Sequence, residues 1–486
     1  MTSDHPRYEV VIGLEVHTQL RTESKLFSPA PVRWGKAPNT SVHPICLALP
    51  GVLPVLNRRA VALAIRAGLA THCTVHEHSV FARKNYFYPD LPKGYQISQY
   101  EEPLCEHGWL DVPIEENGET RVKRVGITRI HMEEDAGKSI HDAAVTGGEG
   151  THVDLNRAGV PLIEIVSEPD MRSAAEAVAY LRTLRSVLRY IDVSDADMEK
   201  GNFRCDANVS IRKAGEDFGT RTELKNLNSF RSVELAIRAE VMRQSELIDD
   251  GIPVKQATMA YDVAKDRTRV LRLKENADDY RYFPDPDLVP LVIDPAEVER
   301  VRGELPELAD ARCERFERDF ALTPYEAAVL TGSRGLADFF EAAVAEGADA
   351  KAAASWILRD VLRALNEREL EVLESALRPD ALAKLIALVD AGGTTAKSAR
   401  GLIPELVEKG GDPAALVSAQ GLEAVSDAGT LERVVDEVMG EHPGDVEKLR
   451  AGEKKVINFL MGQVMKKTGG KADPAAVRKI LADRVG

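Results

Sequence analysis

The segment VIGLEVHTQL, residues 11–20, places a glutamate and a histidine on the same side of a strand. Apolar residues at every second position predict a β-strand with one packed face, and the positions between them form a polar face that includes Glu15 and His17. A solvent-facing strand normally carries a mixture of Lys, Thr, Ser and Glu. The pair therefore raises the question of whether this face binds a ligand.

Other segments show the same alternation. In RCDANVSIR, Asp206 and Asn208 alternate with apolar residues, and in GTRTELKNL, Arg221 and Lys225 share a face. Glu164 interrupts an apolar run, where a buried acid needs a partner. Carboxylate and amide oxygens suit Mg²⁺, and cations beside them would bind phosphate oxygens, so the set indicates phosphoryl transfer. For any single strand, a solvated face with cross-strand ion pairs is the simpler interpretation.

The segment HMEEDAGKS, residues 131–139, ends one of these strands in acids. Simple alternation puts His131 and Glu133 on one face and Glu134 on the other, and only a turn or bulge would redirect Glu134. The ending DAGKS is not a phosphate-binding P-loop, because the required first glycine would fall at Met132.

An aromatic loop, RKNYFYPDLPKGYQISQY, spans residues 83–100. It combines four Tyr and one Phe with Arg83, Lys84 and Lys93. It is either a loop packed by its own rings against the core or a basic, aromatic wall of a nucleotide or nucleic-acid site.

Two histidine- and cysteine-containing segments could form a structural zinc site. HPIC has a suitable spacing, but HCTVHEH is irregular, which makes zinc doubtful. The alternative is surface histidines and small buried thiols. The residues concerned are His43, Cys46, His72, Cys73, His76 and His78.

Composition limits the class of protein. A chain of 486 residues predicts two or three domains, and its apolar runs are too short to span a membrane. Five scattered cysteines and an N-terminus without an apolar signal segment predict a cytoplasmic protein. The net charge is −15, yet residues 453–484 carry eight Lys/Arg against three acids, which makes a basic end.

The secondary-structure pattern predicts an α+β protein. Short β-type runs and a few helices, among them one capped by Ser173 and Glu176, continue to about residue 300, and Ala, Leu and Glu dominate afterwards. Near Gly410 a helix ends, and Asp412 and Pro413 start the next one. We therefore expect a mainly antiparallel sheet domain over 1–300, a helical domain over 301–410 and a helical tail over 411–486.

The motifs quoted above, in their order along the chain, resemble the B subunits of bacterial tRNA-dependent amidotransferases, the GatB family. GLEVHTQL, DLNRAGVPLIEIVSEPD, ELKNLNSF and DDYRYFPDPDLVPL extend the resemblance from Val11 to the C-terminus. It implies a cradle domain related to the glutamine synthetase fold and a YqeY-like tail that binds tRNA.

The resemblance also implies an activity. Such subunits use ATP and Mg²⁺ to phosphorylate the side-chain carboxylate of misacylated Glu-tRNA(Gln), and often of Asp-tRNA(Asn). Ammonia then displaces the phosphate, and it comes from a glutaminase subunit of the GatA type in a heterotrimer that also contains a GatC-type subunit. The sequence leaves open which misacylated tRNA is used. A non-catalytic tRNA-binding subunit and a stand-alone ATP-dependent enzyme are the rival hypotheses.

Site residues follow in three groups. The resemblance implies that Glu15, His17, Glu134 and Glu164 bind metal and that Lys84, Glu134 and Asp206 are catalytic. Strand phase adds Arg204, Asn208, Arg221 and Lys225 as contacts to the nucleotide, with Arg83 from the aromatic loop. The candidates for tRNA binding in the basic end are Lys454, Lys455, Lys466, Lys467 and Lys471.

Overall fold

The computed structural model describes residues 7–485 except 117, 142–145, 149, 274–279, 425–427, 452, 454 and 470. The chain divides into two units, and the division falls between Leu308 and Ala309. Within the described ranges, no helix has both the length and the hydropathy needed to cross a bilayer.

The first unit is built on a large sheet that is antiparallel at every pair except one. Its strand order is β14-β13-β12-β11-β1-β10-β7-β6-β2, and only β12 and β13 run parallel. The described strands of this unit are β1 Glu9–Gln19, β2 Thr74–Val75, β3 His78–Ser79, β4 Ala82–Asn85, β5 Tyr95–Ser98, β6 Cys105–Glu116, β7 Glu119–Glu134, β8 Lys138–Ile140, β9 His152–Asp154, β10 Pro161–Ser167, β11 Phe203–Arg212, β12 Thr222–Leu227, β13 Ala257–Asp262, β14 Arg267–Leu273, β15 Phe283–Pro284 and β16 Leu291–Val292.

Helices cover the apolar face of this sheet. The predicted packed face of β1 is confirmed, because Val10, Ile12, Leu14 and Val16 are at most 1% exposed. The helices of this unit are α1 Arg58–Ala70, α2 Ala174–Tyr190, α3 Phe230–Asp249 and α4 Pro295–Gly303. With one face of the sheet closed in this way, the polar face of β1 is left to form a site.

The start of α2 is capped differently from the prediction. Ser173 is the N-cap and its side chain accepts a hydrogen bond from the Glu176 backbone N–H, as expected. The Glu176 carboxylate does not complete a capping box; it accepts from the Arg172 backbone N–H and forms ion pairs with Arg121 and Lys123. Glu176 therefore ties α2 to β7.

The second unit is helical and has two apolar cores. The first core extends from Phe316 to Val417, and the second from Leu431 to Leu481. Asp412 caps the helix that starts at Pro413, as predicted. The α-helices are α5 Ala309–Phe320, α6 Pro324–Leu330, α7 Arg334–Ala345, α8 Ala350–Trp356, α9 Leu362–Asn366, α10 Pro379–Asp390, α11 Ala396–Lys409, α12 Pro413–Ala419, α13 Ala428–Glu441, α14 Pro443–Arg450, α15 Val456–Lys467 and α16 Pro474–Val485, with a π-helical turn at Ile357–Val361 and a 3₁₀ turn at Val372–Glu374.

These observations confirm the predicted α+β class with a mainly antiparallel sheet followed by helices. The expected boundaries at residues 300 and 410 remain predictions. Helix α12, beyond the second of them, contributes Val417 to the core formed by the preceding helices.

Candidate active site

Four neighbouring strands bring the polar residues of the sheet into register. On β1, His17 pairs with Glu164 of β10 on one side and with Arg204 of β11 on the other. Glu164 in turn pairs with His131 of β7. Because side chains of directly opposed residues lie on the same face, antiparallel pairing gathers residues from distant parts of the chain onto one surface.

The first cluster on this surface contains His17, Glu133 and Glu164. One potential ligand atom of each lies within 4.8 Å of the others. His17 Nε2 lies 3.2 Å from the Glu164 carboxylate, and His131 Nε2 lies 3.4 Å from the same carboxylate and 3.3 Å from that of Glu133. Gln96 also donates a hydrogen bond to Glu133, at 2.9 Å.

The charges of this cluster stabilise one another. Burial lowers the pKa of a histidine, but the carboxylates of Glu164 and Glu133 together outweigh burial and raise the pKa of His17, and they raise that of His131 to about 9. Burial raises the pKa of an acid, yet the hydrogen bond from His131 lowers that of Glu133 to about 2. The pKa of Glu164 is held well below its usual range by His17 and His131, against burial. Two buried carboxylates that stay ionised need positive charge nearby, so they are suited to bind a cation.

A second cluster lies beside the first and contains Glu15, Asp206 and Glu223, again with ligand atoms within 4.8 Å of one another. Lys225 forms ion pairs with Asp206 and, at 3.2 Å, with Glu223. Burial raises the pKa of Glu15, and the charges of Glu164 and Glu223 add to this. With three carboxylates and one lysine, the cluster has an excess of negative charge.

Asn208 also supports a ligand at the second cluster. Its amide donates a hydrogen bond of 2.9 Å to Glu15. Its carbonyl oxygen, Oδ1, is buried and has no hydrogen-bond partner among the described residues. A buried unpaired oxygen costs free energy unless a ligand or water satisfies it. Apart from the imidazole of His17, the donors at the two clusters are carboxylate oxygens and an amide oxygen, which are ligands that suit Mg²⁺.

Lys84 approaches the first cluster from β4. Burial lowers the pKa of a lysine, but the surrounding negative charges, that of Glu133 foremost, together outweigh burial and raise the pKa of Lys84. The Lys84 Nζ lies 5.2 Å from the ring centre of Tyr280, and near it Tyr100 and Tyr282 stack at 4.1 Å. The aromatic loop therefore contributes the cation Lys84 and the ring of Tyr100, and Tyr280 and Tyr282 come from a distant part of the chain. Lys84 remains positively charged there.

The other cations predicted to bind nucleotide differ in position. Arg204 binds Asp135 at 2.9 Å, and Arg83 binds Asp285 and Asp287, each at 2.9 Å. Arg221 is exposed and immediately precedes β12 rather than belonging to it. Of the five predicted nucleotide contacts, Asn208 and Lys225 are the two whose side chains touch the acidic clusters.

Glu134 lies outside both clusters of described ligands, so the structure does not bring it together with the other predicted metal ligands. Strand β7 keeps its register to Glu134 without a bulge, so Glu134 lies on the face opposite to His131. Its carboxylate forms an ion pair with Lys93 and accepts a 3.0 Å hydrogen bond from the Ile97 backbone N–H. Glu133, in contrast, lies in the first cluster. Simple alternation along β7 puts it on the same face as His131, as the register of the strand confirms.

The predicted site residues did not include Glu133 and Glu223, which belong to the two clusters. Glu223 is in phase with the predicted Lys225 on β12, and Glu133 shares the face of His131 on β7. Of the lysines predicted to bind tRNA, Lys454 lies outside the residues that the structure describes.

The histidine and cysteine segments do not converge on one group of described ligands. Cys46 Sγ lies 3.5 Å from the Lys25 Nζ. His76 and His78 bind Glu106 and Glu102 instead, each at 2.8 Å.

Comparison with known proteins defines the family. Residues 10–299 match the model of the GatB/GatE catalytic domain, and residues 338–485 match a GatB domain model of the YqeY type. These matches define the class of protein as one with a catalytic sheet domain and a helical GatB-type C-terminal domain.

Similarity to curated proteins extends over nearly the whole chain. A protein of Oleidesulfovibrio alaskensis, named as the B subunit of an aspartyl/glutamyl-tRNA(Asn/Gln) amidotransferase, is 54% identical over 99% of both chains. Proteins of the same name from Geobacter sulfurreducens and Thermosynechococcus vestitus are 52% identical (98% of this chain, 99% of the relative) and 47% identical (98% and 96%). The chain belongs to the GatB family, which confirms the resemblance found in its sequence.

Proposed function

We propose that this protein is the ATP-dependent activating subunit of a tRNA-dependent amidotransferase. It phosphorylates the side-chain carboxylate of glutamate on tRNA(Gln), of aspartate on tRNA(Asn), or of both, and ammonia then converts the acyl phosphate into the amide. The observation that carries the proposal is the pair of adjacent acidic clusters on one sheet face with a lysine beside each. Binding of tRNA alone would need cations and no such ligands.

The metal ligands of the proposed reaction are His17, Glu133 and Glu164 in one cluster and Glu15, Asp206 and Glu223 in the other. Bound Mg²⁺ would neutralise phosphate oxygens and so lower the barrier to transfer. Asn208 orients Glu15 through its amide, and His131 orients Glu133 and Glu164.

Two lysines supply the remaining charge stabilisation. The substrate carboxylate and the γ-phosphate of ATP are both anions and repel each other on approach. Lys84 beside the first cluster and Lys225 beside the second reduce this repulsion, since both stay protonated. A carboxylate is a poor acylating agent because oxide is a poor leaving group. Phosphorylation supplies phosphate as the leaving group when ammonia attacks.

The relatives are named as B subunits, which indicates that the protein works in a multi-subunit complex. We propose a heterotrimer in which a GatA-type subunit hydrolyses glutamine and a GatC-type subunit completes the assembly. On its own the chain should not hydrolyse glutamine.

The test is an amidation assay of the reconstituted complex with each misacylated tRNA. We expect ATP hydrolysis that depends on the misacylated tRNA, and amidation with free ammonium even when the glutaminase subunit is inactivated. ATP hydrolysis that ignores the aminoacyl-tRNA, or amidation without ATP, would contradict the proposal.

A further inference from the structure

Lys25 and Cys46 form a contact between two buried, chemically reactive side chains of the first unit. Lys25 is 1% exposed and Cys46 is 8% exposed. The Lys25 Nζ lies 3.5 Å from the Cys46 Sγ and donates a hydrogen bond of 3.2 Å to the Leu155 carbonyl. A lysine is almost never fully buried unless it is paired, yet no carboxylate of the described residues lies within ion-pair distance of this one. The amine is therefore held against a thiol rather than an acid.

The surroundings of Lys25 favour the form of the amine that can react. Burial lowers the pKa of Lys25, and it outweighs the attraction of Cys46, Asp154 and Glu134. An amine with a lowered pKa is neutral more often, and only the neutral amine is a nucleophile. The flexible four-carbon side chain of a lysine can also bring its nitrogen closer to the sulfur without a change in the backbone.

Cys46 differs from the other cysteines of the chain in this contact. All five cysteines are free thiols, and in the described part of the chain Cys46 is the one whose sulfur is hydrogen-bonded to a lysine. Its second neighbour is the Ser28 hydroxyl at 3.4 Å, which is a weaker nucleophile than a neutral amine. The backbone nitrogen of Leu47 could also attack an oxidised sulfur, but its N–H already donates to the His43 carbonyl at 3.2 Å. Lys25 is thus the group placed to react with Cys46.

We propose that Lys25 and Cys46 form a reversible covalent cross-link when hydrogen peroxide reaches the protein. Peroxide converts the Cys46 thiol into a sulfenic acid and is itself reduced to water. The neutral Lys25 amine then attacks the sulfur: an S–N bond forms, the S–O bond breaks, and the hydroxyl leaves as water with one proton of the amine. The product is a sulfenamide. Overall, the sulfur loses two electrons, one peroxide is consumed and two waters are released.

The cross-link would protect Cys46 from irreversible damage. A sulfenic acid that meets no nucleophile is oxidised further to a sulfinic acid, which thiols do not reduce. Capture by Lys25 stops the oxidation one step earlier, at a bond that an attacking thiol can break. The inference does not depend on the proposed activity, because neither residue belongs to the acidic clusters.

The test treats the full-length protein with hydrogen peroxide, blocks the remaining thiols after unfolding and identifies the peptides by mass spectrometry. We expect two peptides joined through Lys25 and Cys46, with a mass lower by two hydrogen atoms than that of the two reduced peptides together. Dithiothreitol should restore both side chains. The same treatment in concentrated urea should give no such pair, because the unfolded chain does not hold the two residues in contact.

Cys73 is the matched control within the same molecule. It is 7% exposed and its sulfur lies 3.4 Å from the Thr71 hydroxyl, so its burial and its hydroxyl contact resemble those of Cys46. Its sulfur forms no hydrogen bond to a lysine of the described chain. Cys73 should therefore form no cross-link to a lysine.

Two variants identify the reacting groups. Cys46→Ser should remove the cross-link. Lys25→Arg keeps a positive charge, but a guanidinium stays protonated and cannot attack the sulfur. In Lys25→Arg we expect Cys46 to persist as a sulfenic acid, which dimedone captures, and then to become a sulfinic acid. The comparison of native and urea-unfolded protein needs no variant, so it remains decisive if either substitution disturbs folding.

Several results would overturn this inference. One is a Cys46 that stays a thiol in the native protein under peroxide, and another is equal capture of Cys46 by dimedone in the unsubstituted protein and in Lys25→Arg. Equal cross-linking in urea, or cross-links from Cys73 to lysines in the same yield, would show that the contact does not direct the reaction.

Discussion

His17 and Glu164 face each other across two neighbouring strands, and the imidazole Nε2 lies 3.2 Å from the carboxylate. They are 147 positions apart in the sequence. The Glu164 carboxylate also contacts His131 of the next strand, at 3.4 Å, so one acid joins three strands. These contacts with His17 and His131 stabilise the charge of Glu164, which explains how an otherwise apolar strand can contain a buried acid.

The first prediction separates Glu133 from Glu134. Glu133→Gln keeps the shape of a proposed ligand and removes its charge. We expect activation of the aminoacyl-tRNA to fall by orders of magnitude, because stabilisation by a metal ion is worth several kcal/mol. The Mg²⁺ concentration for half-maximal ATP hydrolysis should rise, while tRNA affinity changes little.

Glu134→Gln is the matched control for that variant. It should leave the Mg²⁺ dependence unchanged and lower the unfolding midpoint, because Lys93 loses its ion-pair partner. If Glu134→Gln shifted the Mg²⁺ dependence and Glu133→Gln did not, the assignment made from the sequence resemblance would be restored.

Much of this site could be predicted from alternation alone. The period of two assigned Glu15, His17 and Asp206 to one face, and β1 and β11 carry them there. The choice between Glu133 and Glu134 could not be settled, because it depended on whether β7 bulges at its end, which is determined by pairing with β10.

Other features depend on distant parts of the chain. The ion pair of Arg204 with Asp135 joins β11 to the segment after β7, and no local sequence pattern predicts this contact. Likewise, the spacing of the HPIC segment left a doubtful zinc site at Cys46 open, and only the fold shows that Lys25 lies against that thiol.

The second prediction concerns acid stability and Glu176. Burial opposes its ionisation, but hydrogen bonds from Lys123 and Arg121 lower its pKa below the usual value. Its stabilisation is therefore complete above the pKa of the unfolded chain, roughly 4.3, and is lost as pH falls through the lower folded-state pKa. Glu176→Gln should lower the free energy of unfolding by about 1–3 kcal/mol at pH 7 and weaken its acid dependence.

Glu116→Gln is the control, because Glu116 also pairs with Arg121, at 3.3 Å, but is partly exposed. Urea unfolding of both variants at several pH values measures the difference. Parallel stability curves for Glu176→Gln and the unsubstituted protein from pH 7 to pH 3 would show that Glu176 does not link stability to pH.

The third prediction concerns helix packing at Gly68 of α1. A Cβ there would lie 2.5 Å from the Cys105 Sγ in the core. Gly68→Ala should destabilise the protein by roughly 1–3 kcal/mol, as overpacking does. In Gly401→Ala, within α11, the new Cβ meets no described atom within 4 Å. Because alanine favours helix, that variant should be neutral or slightly stabilised. Equal unfolding midpoints for the two variants would contradict the prediction.

The last prediction concerns the basic end. Lys455 and Lys466 are exposed and form no ion pair with a described residue, whereas Lys467 binds Glu437 and Glu441 at 3.3 and 2.6 Å. Lys471 is half-buried near Gly421. If this end binds tRNA phosphates, the unpaired lysines should contribute most. We expect Lys455→Ala with Lys466→Ala to weaken tRNA binding and to reduce the slope of log K against log salt by about 2.

Two comparisons make this prediction specific. Lys467→Ala should change the slope less, since its charge is already paired, and Lys397→Ala in α11 is an exposed control from another helix. Deleting residues 428–486 removes the second helical core and leaves α12 on the first. This truncation should raise the KM for aminoacyl-tRNA strongly while the sheet unit keeps its ATP affinity. An unchanged salt slope in both the double variant and the truncated protein would exclude the basic end as a tRNA contact, and the aromatic loop around Lys84 and Lys93 would then become the better candidate.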